Sequence, residues 1–471
     1  MSSAARKSVQ TLMKILDSAG CRCPTHSQAF STPISNRMDC STQSFQKEYA
    51  FEMACSNIRY GEGVTQEVGM DFKNLGAKNI CVVTDKTISK LPPMKTVLDS
   101  LQIQRLNFQV FDDVRVEPTD ISFKKAISFA RQSNFDAYLA VGGGSVIDTC
   151  KAANLYACNP ESEFLDFVNA PVGKGIPVVG SVKPLIAVPT TSGTGSETTG
   201  VAIFDHTELK AKTGIGSRTL RPLLGIVDPV HCKYMPNRIA AYSGFDVLCH
   251  ALESYTAIPY QERTPRPVDP IQRPAYQGSN PISDIWSLHA LRIINKYFRR
   301  AVQDPDDFEA RSNMHLASAF AGIGFGNAGV HLCHGMSYAV AGQVKTFKAK
   351  QYDVDHAIVP HGLSVVMTAP AVFEYTASAC PERHIEAANI LGKDTTNVKR
   401  EDAGRALSDA VREFMNDLEV EDGLQALGYT SEDIPALVKG TLPQHRVTKL
   451  SPRLLAEEHL HQLFHESMKV Y

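Results

Sequence analysis

The strongest constraint on the fold is the run Ala137-Tyr138-Leu139-Ala140-Val141, an apolar stretch that breaks at Gly142-Gly143-Gly144-Ser145 and resumes as a helical pattern from Val146 to Tyr156. A strand that feeds through a glycine turn into a helix is half of a βαβ unit, and such units assemble on a parallel sheet. Similar runs recur at Ile80-Cys81-Val82-Val83-Thr84 and at Leu185-Ile186-Ala187-Val188. The alternation holds from about residue 46 to 229, which is expected to form an α/β N-terminal domain with a parallel sheet. After Asp228-Pro229 the β-prone runs thin out, and Ala-, Leu- and Gly-containing helical patterns continue to the end. Residues 230–471 are therefore expected to form a helical C-terminal domain.

The turns that follow the strands carry the first chemistry. Gly143, Gly144 and Ser145 open a helix, so backbone N–H groups and the helix N-terminus can approach a pyrophosphate closely; the alternative is a plain strand-to-helix turn. Asp85, at the carboxyl end of its strand, is placed either to accept hydrogen bonds from a ribose diol or to cap the next helix. The strand ending at Pro189 runs into Thr190-Thr191-Ser192-Gly193-Thr194-Gly195-Ser196-Glu197. So many hydroxyls and glycines offer neutral donors to phosphate, sugar and nicotinamide amide groups, where a polar linker is the bland alternative. Lys212, downstream, is either a contact to ribose or phosphate oxygen or a solvated lysine.

The second half holds the metal-type side chains. Asp246 and His250 stand four apart and share one helical face about 6 Å apart. Downstream come His331 and His334 in a small-residue segment, and His361 at an expected helix start. One carboxylate and three imidazoles suit Fe(II) or Zn(II) with positions open to a substrate oxygen; singly, each histidine is as readily a hydrogen-bonded structural residue. His331 is the weaker candidate and a source of hydrogen bonds behind the ligands.

Composition narrows the partners. Forty-eight Lys plus Arg against fifty Asp plus Glu leave a formal charge of -2, which points away from nucleic acid and anionic membranes and toward small molecules. No apolar run approaches the roughly 18 to 20 residues that cross a bilayer. The eleven cysteines are scattered without metal-ribbon or disulfide-scaffold spacing, which suits a reducing compartment. Residues 1–45 set Arg6, Lys7, Lys14, Arg22 and Arg37 against Asp17 and Asp39 alone. Val9, Leu12, Met13 and Leu16 would share one helical face opposite Lys7 and Lys14, the pattern of a mitochondrial transit peptide and of import to the matrix; a disordered tail is the alternative.

Taken together, Gly142-Gly143-Gly144-Ser145 with Asp148, Thr190 to Glu197, Asp246 with His250, His334-Gly335-Met336 and Pro360-His361-Gly362 resemble the iron-containing alcohol dehydrogenase family. The resemblance implies a dehydroquinate synthase-like fold, with an NAD-binding α/β domain and an all-helical metal domain. It carries metal ligation onto Asp246, His250, His334 and His361, and cofactor contacts onto Asp85, Gly143, Gly144, Ser145, Asp148, Thr190, Thr191, Thr194 and Lys212. One departure stands out: many family members have a histidine four residues after the third ligand, a proposed proton relay, where this chain has Tyr338. With an ordinary pKa near 10, tyrosine is a slow general base, so water or a ribose hydroxyl is an alternative relay.

Gly244 to Thr256, Gly278 to Trp286, His331 to Tyr338 and Lys439 to Leu450 are similar to a branch of the family that passes hydride from a hydroxyacid to an oxoacid. That likeness implies tightly held NAD, with gamma-hydroxybutyrate oxidised to succinic semialdehyde and alpha-ketoglutarate reduced to D-2-hydroxyglutarate. The alternatives are a conventional NAD-dependent alcohol dehydrogenase that releases NADH and a non-catalytic NAD or metal sensor. Both acids carry a remote carboxylate that needs a fixed cation. The Pro-rich segment Pro259 to Pro281 offers Arg263, Arg266 and Arg273 for that role, with solvent-exposed arginines as the alternative. The assembly expected is a homodimer.

Overall fold

In a computed structural model of the protein the described residues are 47–471, and the transit-peptide reading of residues 1–45 lies outside them. Six strands form a parallel sheet: β1 (Asn57–Tyr60), β2 (Asn79–Val83), β3 (Asn107–Phe111), β4 (Ala137–Gly142), β5 (Leu185–Pro189) and β8 (Leu224–Val227), in the order β1-β8-β5-β4-β2-β3. Its central runs are apolar throughout because both faces are covered. Ile80, Val82, Leu139, Val141, Ile186 and Val188 pack into one core, while Cys81, Val83, Tyr138, Ala140 and Ala187 pack into another.

The chain passes from β2 outward to β3, then returns to place β4 on the other side of β2. Such a reversal leaves a crevice at the carboxyl ends of β2 and β4, the place where open α/β sheets bind ligands. Asp85 follows β2, the glycine turn follows β4, and the Thr190 loop follows β5, so three of the expected cofactor segments share that edge.

The sequence did not announce β6 (Val201–His206) and β7 (Ala211–Gly216), an antiparallel hairpin outside the main sheet. Its polar turn interrupts the expected βα alternation, and Lys212 rides on β7.

Beyond β8 the structure is helical. Helices Asn237–Thr256, Pro281–Gln303 and Phe308–Ala328 enclose the largest apolar core, which includes Phe245, Leu248, Leu252, Leu291 and Phe298. The start of Pro281–Gln303 is locally encoded: the Asn280 side chain accepts from the N–H groups of Ile282 and Ser283, and Pro281 takes the first turn, where no donor is needed. Among the described residues no single helix is long and apolar enough to cross a membrane, and the described cysteines are free thiols.

Candidate metal and cofactor site

Helix Asn237–Thr256 is largely buried from Ala240 onward and carries Asp246, His250 and Glu253 along one face, spaced i, i+4, i+7. His334 enters from the first turn of helix Leu332–Gly342, and His361 is the first residue of helix His361–Val366. These elements bring the Nε2 atoms of His250, His334 and His361 to 3.6, 3.5 and 3.7 Å from Asp246 Oδ1. One donor atom from each of the four residues lies within 4.8 Å of every other. Asp246, His250 and His334 are at most 3% exposed, while the His361 side chain is 22% exposed and faces the opening.

The spacing fits a divalent ion. Donors in a tetrahedron about 2.1 Å from one ion stand about 3.4 Å apart, close to the separations seen here and too long for good hydrogen bonds. Asp246 Oδ1 and His334 Nε2 are buried without any hydrogen-bond partner, which a cation between them would remedy.

Glu253 fixes the arrangement, a role the sequence did not single out. Its Oε1 accepts from the backbone N–H groups of His331 and Cys333 at 3.0 and 2.7 Å, and its Oε2 meets His334 Nδ1. Donation from Nδ1 leaves the His334 Nε2 lone pair directed at the cluster. Burial opposes charge on His334, yet Glu253 and Asp246 outweigh it and hold its pKa up at about 9, so the Nε2 proton has to leave before that atom can ligate. Burial pushes His250 down to about 3. It also works against ionisation of Asp246, but the surrounding imidazoles hold that carboxyl well below the usual range. His331 turns away: Nδ1 accepts from the N–H of Leu332 at 2.8 Å and Nε2 meets Thr256 Oγ1 at 3.0 Å, a helix cap rather than a ligand.

A cleft opens over the cluster and reaches the sheet edge. His250, His334, His361 and Tyr338 line it together with Gly144, Ser145, Asp148, Thr194 and Lys212. The glycine turn lies flat on the threonine loop: a Cβ on Gly144 would sit 2.5 Å from Thr194 Cγ2. The helix Gly144–Cys158 starts there with no side chain capping its N–H groups, and Thr190 Oγ1 is buried without a partner. A pyrophosphate and its sugar fit such an edge.

The remaining expected residues divide. Asp148 accepts from Ser196 Oγ, from the Ile203 N–H at 2.9 Å and from Lys151 Nζ at 3.3 Å, and so braces the loop into β6. Asp85 Oδ1 accepts from the N–H groups of Thr87 and Ile88, both at 2.8 Å. Asp85, Gly143, Thr190 and Thr191 stand beside the cleft without lining it. Lys212, buried on β7, pairs with Glu117 and, at 3.2 Å, with Asp205.

Glu117, which the sequence reading passed over, ties the site together: it also accepts the His361 N–H at 3.1 Å, and its own N–H meets Ser145 Oγ. Its φ of 53° is a left-handed conformation that these contacts hold in place. Burial pushes the Tyr338 phenol above its ordinary pKa despite the neighbouring Arg446.

None of the three arginines expected to hold a carboxylate lines the cleft. Arg273 is chelated by Glu48, with both contacts at 3.1 Å, and lies with Arg266 over the Tyr49 ring; the Arg263 backbone carbonyl accepts from the Glu48 N–H.

Comparison with known proteins agrees with this geometry. Residues 55–229 match the family model for iron-containing alcohol dehydrogenase, and residues 275–468 match that for the C-terminal part of the Fe-containing alcohol dehydrogenase family.

The chain belongs to the iron-containing alcohol dehydrogenase family.

It is therefore an oxidoreductase of a family that uses NAD and a divalent metal. Within the family, a curated protein of Rattus norvegicus named hydroxyacid-oxoacid transhydrogenase, mitochondrial, is 65% identical over 471 residues and 100% of both chains. The Homo sapiens protein of the same name is 63% identical, also over 100% of both. Among solved structures, a 1,3-propanediol oxidoreductase aligns with a TM-score of 0.77 at 25% identity, covering 89% of this chain and 100% of that one. An alcohol dehydrogenase from Oenococcus oeni aligns with a TM-score of 0.75 at 26% identity and the same coverage.

Proposed function

We propose that this chain is a hydroxyacid-oxoacid transhydrogenase of the mitochondrial matrix, oxidising gamma-hydroxybutyrate to succinic semialdehyde and reducing alpha-ketoglutarate to D-2-hydroxyglutarate with NAD held throughout. The observation that carries this reading is the 65% identity, end to end, with the rat protein of that name. The leader composition and the word mitochondrial in the relatives' names support the compartment.

Asp246, His250, His334 and His361 are the proposed ligands of a divalent ion, Fe(II) in the family-based reading, with Zn(II) as the other occupant the donor set accepts. Bound there, the ion would supply Lewis-acid polarisation of a substrate hydroxyl or carbonyl, and NAD would supply a reversible hydride acceptor. The chain's own residues do the rest. Glu253 holds His334 in the tautomer that offers Nε2. Gly143, Gly144, Ser145, Thr190, Thr191 and Thr194, with Lys212 and Asp85, are the proposed NAD contacts, and Asp148 supports them by fixing the loop into β6. His361 and Glu117 stand at the opening, where the Glu117 carboxylate keeps the His361 backbone and Lys212 in register.

The test is turnover of gamma-hydroxybutyrate by protein lacking residues 1–45 with no NAD added. Succinic semialdehyde is expected to accumulate only when alpha-ketoglutarate is present. Sustained product that instead requires added NAD and no oxoacid makes the chain a conventional dehydrogenase.

A further inference from the structure

Gamma-hydroxybutyrate and alpha-ketoglutarate have different reacting groups but share one spacing. In the first, two methylenes separate the carbinol carbon from the carboxylate; in the second, two methylenes separate the ketone carbon from the distal carboxylate. A single fixed cation at one distance from the metal-type cluster would hold both acids in register.

Cations near the cleft are few, and the two lysines among them are already paired. Lys212, the one Lys or Arg that lines it among the described residues, is paired with Glu117 and Asp205. Lys151 is paired with Asp148. Arg221 lacks an ion-pair partner among the described residues and leaves Nη1 unbonded, but its other donors go to the Thr198 and Gly326 carbonyls and to Asn327, none of which lines the cleft.

Arg446 differs. It stands directly behind two cleft-lining side chains: its Nη2 donates to the Tyr338 hydroxyl at 2.8 Å, and its guanidinium carbon lies 4.8 Å from the centre of the Tyr276 ring. Among the described residues no carboxylate lies within ion-pair distance of it, and its Nη1 is buried without a hydrogen-bond partner. A tyrosine hydroxyl and a ring face orient a guanidinium but do not neutralise it, so the charge lacks a counter-ion.

The segment carrying Arg446 is held at both ends of its contact with the site. Gln444 donates to the Lys212 carbonyl at 3.1 Å, and Thr448 packs on the backbone of Gly335, beside His334. Tyr338 sits one turn beyond His334 on the same helical face, about 5–6 Å away between Cβ atoms. The Tyr338 oxygen accepts from Arg446, which leaves its own O–H free to donate into the cleft.

We propose that Arg446 and Tyr338 form the carboxylate-binding end of the substrate cleft, selecting acids whose carboxylate lies two methylenes from the reacting carbon. The assignment rests on the transhydrogenase reading above and deepens it. It gives the tyrosine that replaces the family's histidine a binding role, that of a donor held in place by a guanidinium. Tyr338 meets the carboxylate from the cleft wall and Arg446 acts from behind it, one helical turn from the chemistry.

Single-turnover reduction of the protein's own NAD tests this, followed at the nicotinamide absorbance band after mixing with gamma-hydroxybutyrate or with 1-butanol, which keeps the carbon chain and lacks the carboxylate. The wild type is expected to favour the acid. Arg446→Met is expected to raise the half-saturating concentration of the acid on the order of 100-fold relative to that of 1-butanol. Arg446→Lys, which keeps the charge and the stem, is expected to recover about a tenth or more of the lost selectivity. Succinate, an inert acid of the same spacing, is expected to bind the wild type in calorimetry and to lose that binding in Arg446→Met.

An Arg446→Met protein that keeps its preference for the acid, or loses acid and 1-butanol in equal proportion while Arg446→Lys does the same, overturns the assignment. A wild type that prefers 1-butanol overturns the transhydrogenase reading itself, and the wild-type arm alone separates that failure from the other.

Discussion

Asp246→Asn is expected to lower turnover of gamma-hydroxybutyrate about 1000-fold, the loss of roughly 4 kcal/mol of charge stabilisation. The substitution keeps the shape of the side chain and removes the one anion among the three imidazoles, whose Nε2 atoms stand 3.5 to 3.7 Å from Asp246 Oδ1. Metal affinity is expected to fall by at least about 100-fold, since even residues one step removed from a metal account for up to that factor. Folding should survive, but the imidazoles hold the Asp246 carboxyl well below its usual range, so its charge stabilises the metal-free fold and the metal-free variant is expected to melt below the metal-free wild type at neutral pH. Metal content after dialysis, read beside turnover and melting, checks all three. A variant with a full complement of metal and near-normal turnover would remove Asp246 from the site.

Gly362→Ala reverses an ordinary expectation. In an exposed helix this change stabilises by about 1 kcal/mol; here it is expected to destabilise by about 2 kcal/mol, the usual cost of overpacking. A Cβ at position 362 would lie 1.9 Å from the Tyr242 carbonyl oxygen and 3.0 Å from Asp246 Cβ, and the first of these is backbone that has no rotamer to yield. Helix His361–Val366 has to back away from helix Asn237–Thr256, and His361 leaves with it. Metal affinity is therefore expected to fall along with stability, by about 100-fold or more. Denaturant melts and metal titration of the same preparation decide it; a more stable variant with unchanged affinity contradicts the close packing described here.

These two residues also show how unevenly the site can be read from sequence. Asp246 and His250 are legible because a helix of known pitch converts four positions into one face. Glu253 completes the same stripe at i+7, so its place on the ligand face could have been inferred, but its partner His334 lies 81 positions downstream and nothing local names it. The βα turn at Gly142 to Ser145 was legible because strand, glycines and helix are contiguous. The strand order and the β6–β7 hairpin depend on pairings between distant segments, which local periodicity does not encode.

The three arginines lie away from the cleft lining for the same reason in reverse. Arg263, Arg266 and Arg273 follow helix Asn237–Thr256 in sequence, yet the chain carries them to Glu48 and Tyr49, where Arg273 finds its counter-ion. Arg446 is more than a hundred positions from Tyr338 and has no motif around it. Only the fold reveals a guanidinium behind two cleft tyrosines and a missing anion.

The central claim is that hydride removed from one acid is delivered to the other without leaving the protein. Gamma-hydroxybutyrate deuterated at C4, incubated with alpha-ketoglutarate and an excess of unlabelled free NADH, tests it most directly by mass spectrometry of the 2-hydroxyglutarate formed. Deuterium at C2 in nearly every product molecule is the predicted result; product diluted to the isotopic composition of the free NADH would contradict it.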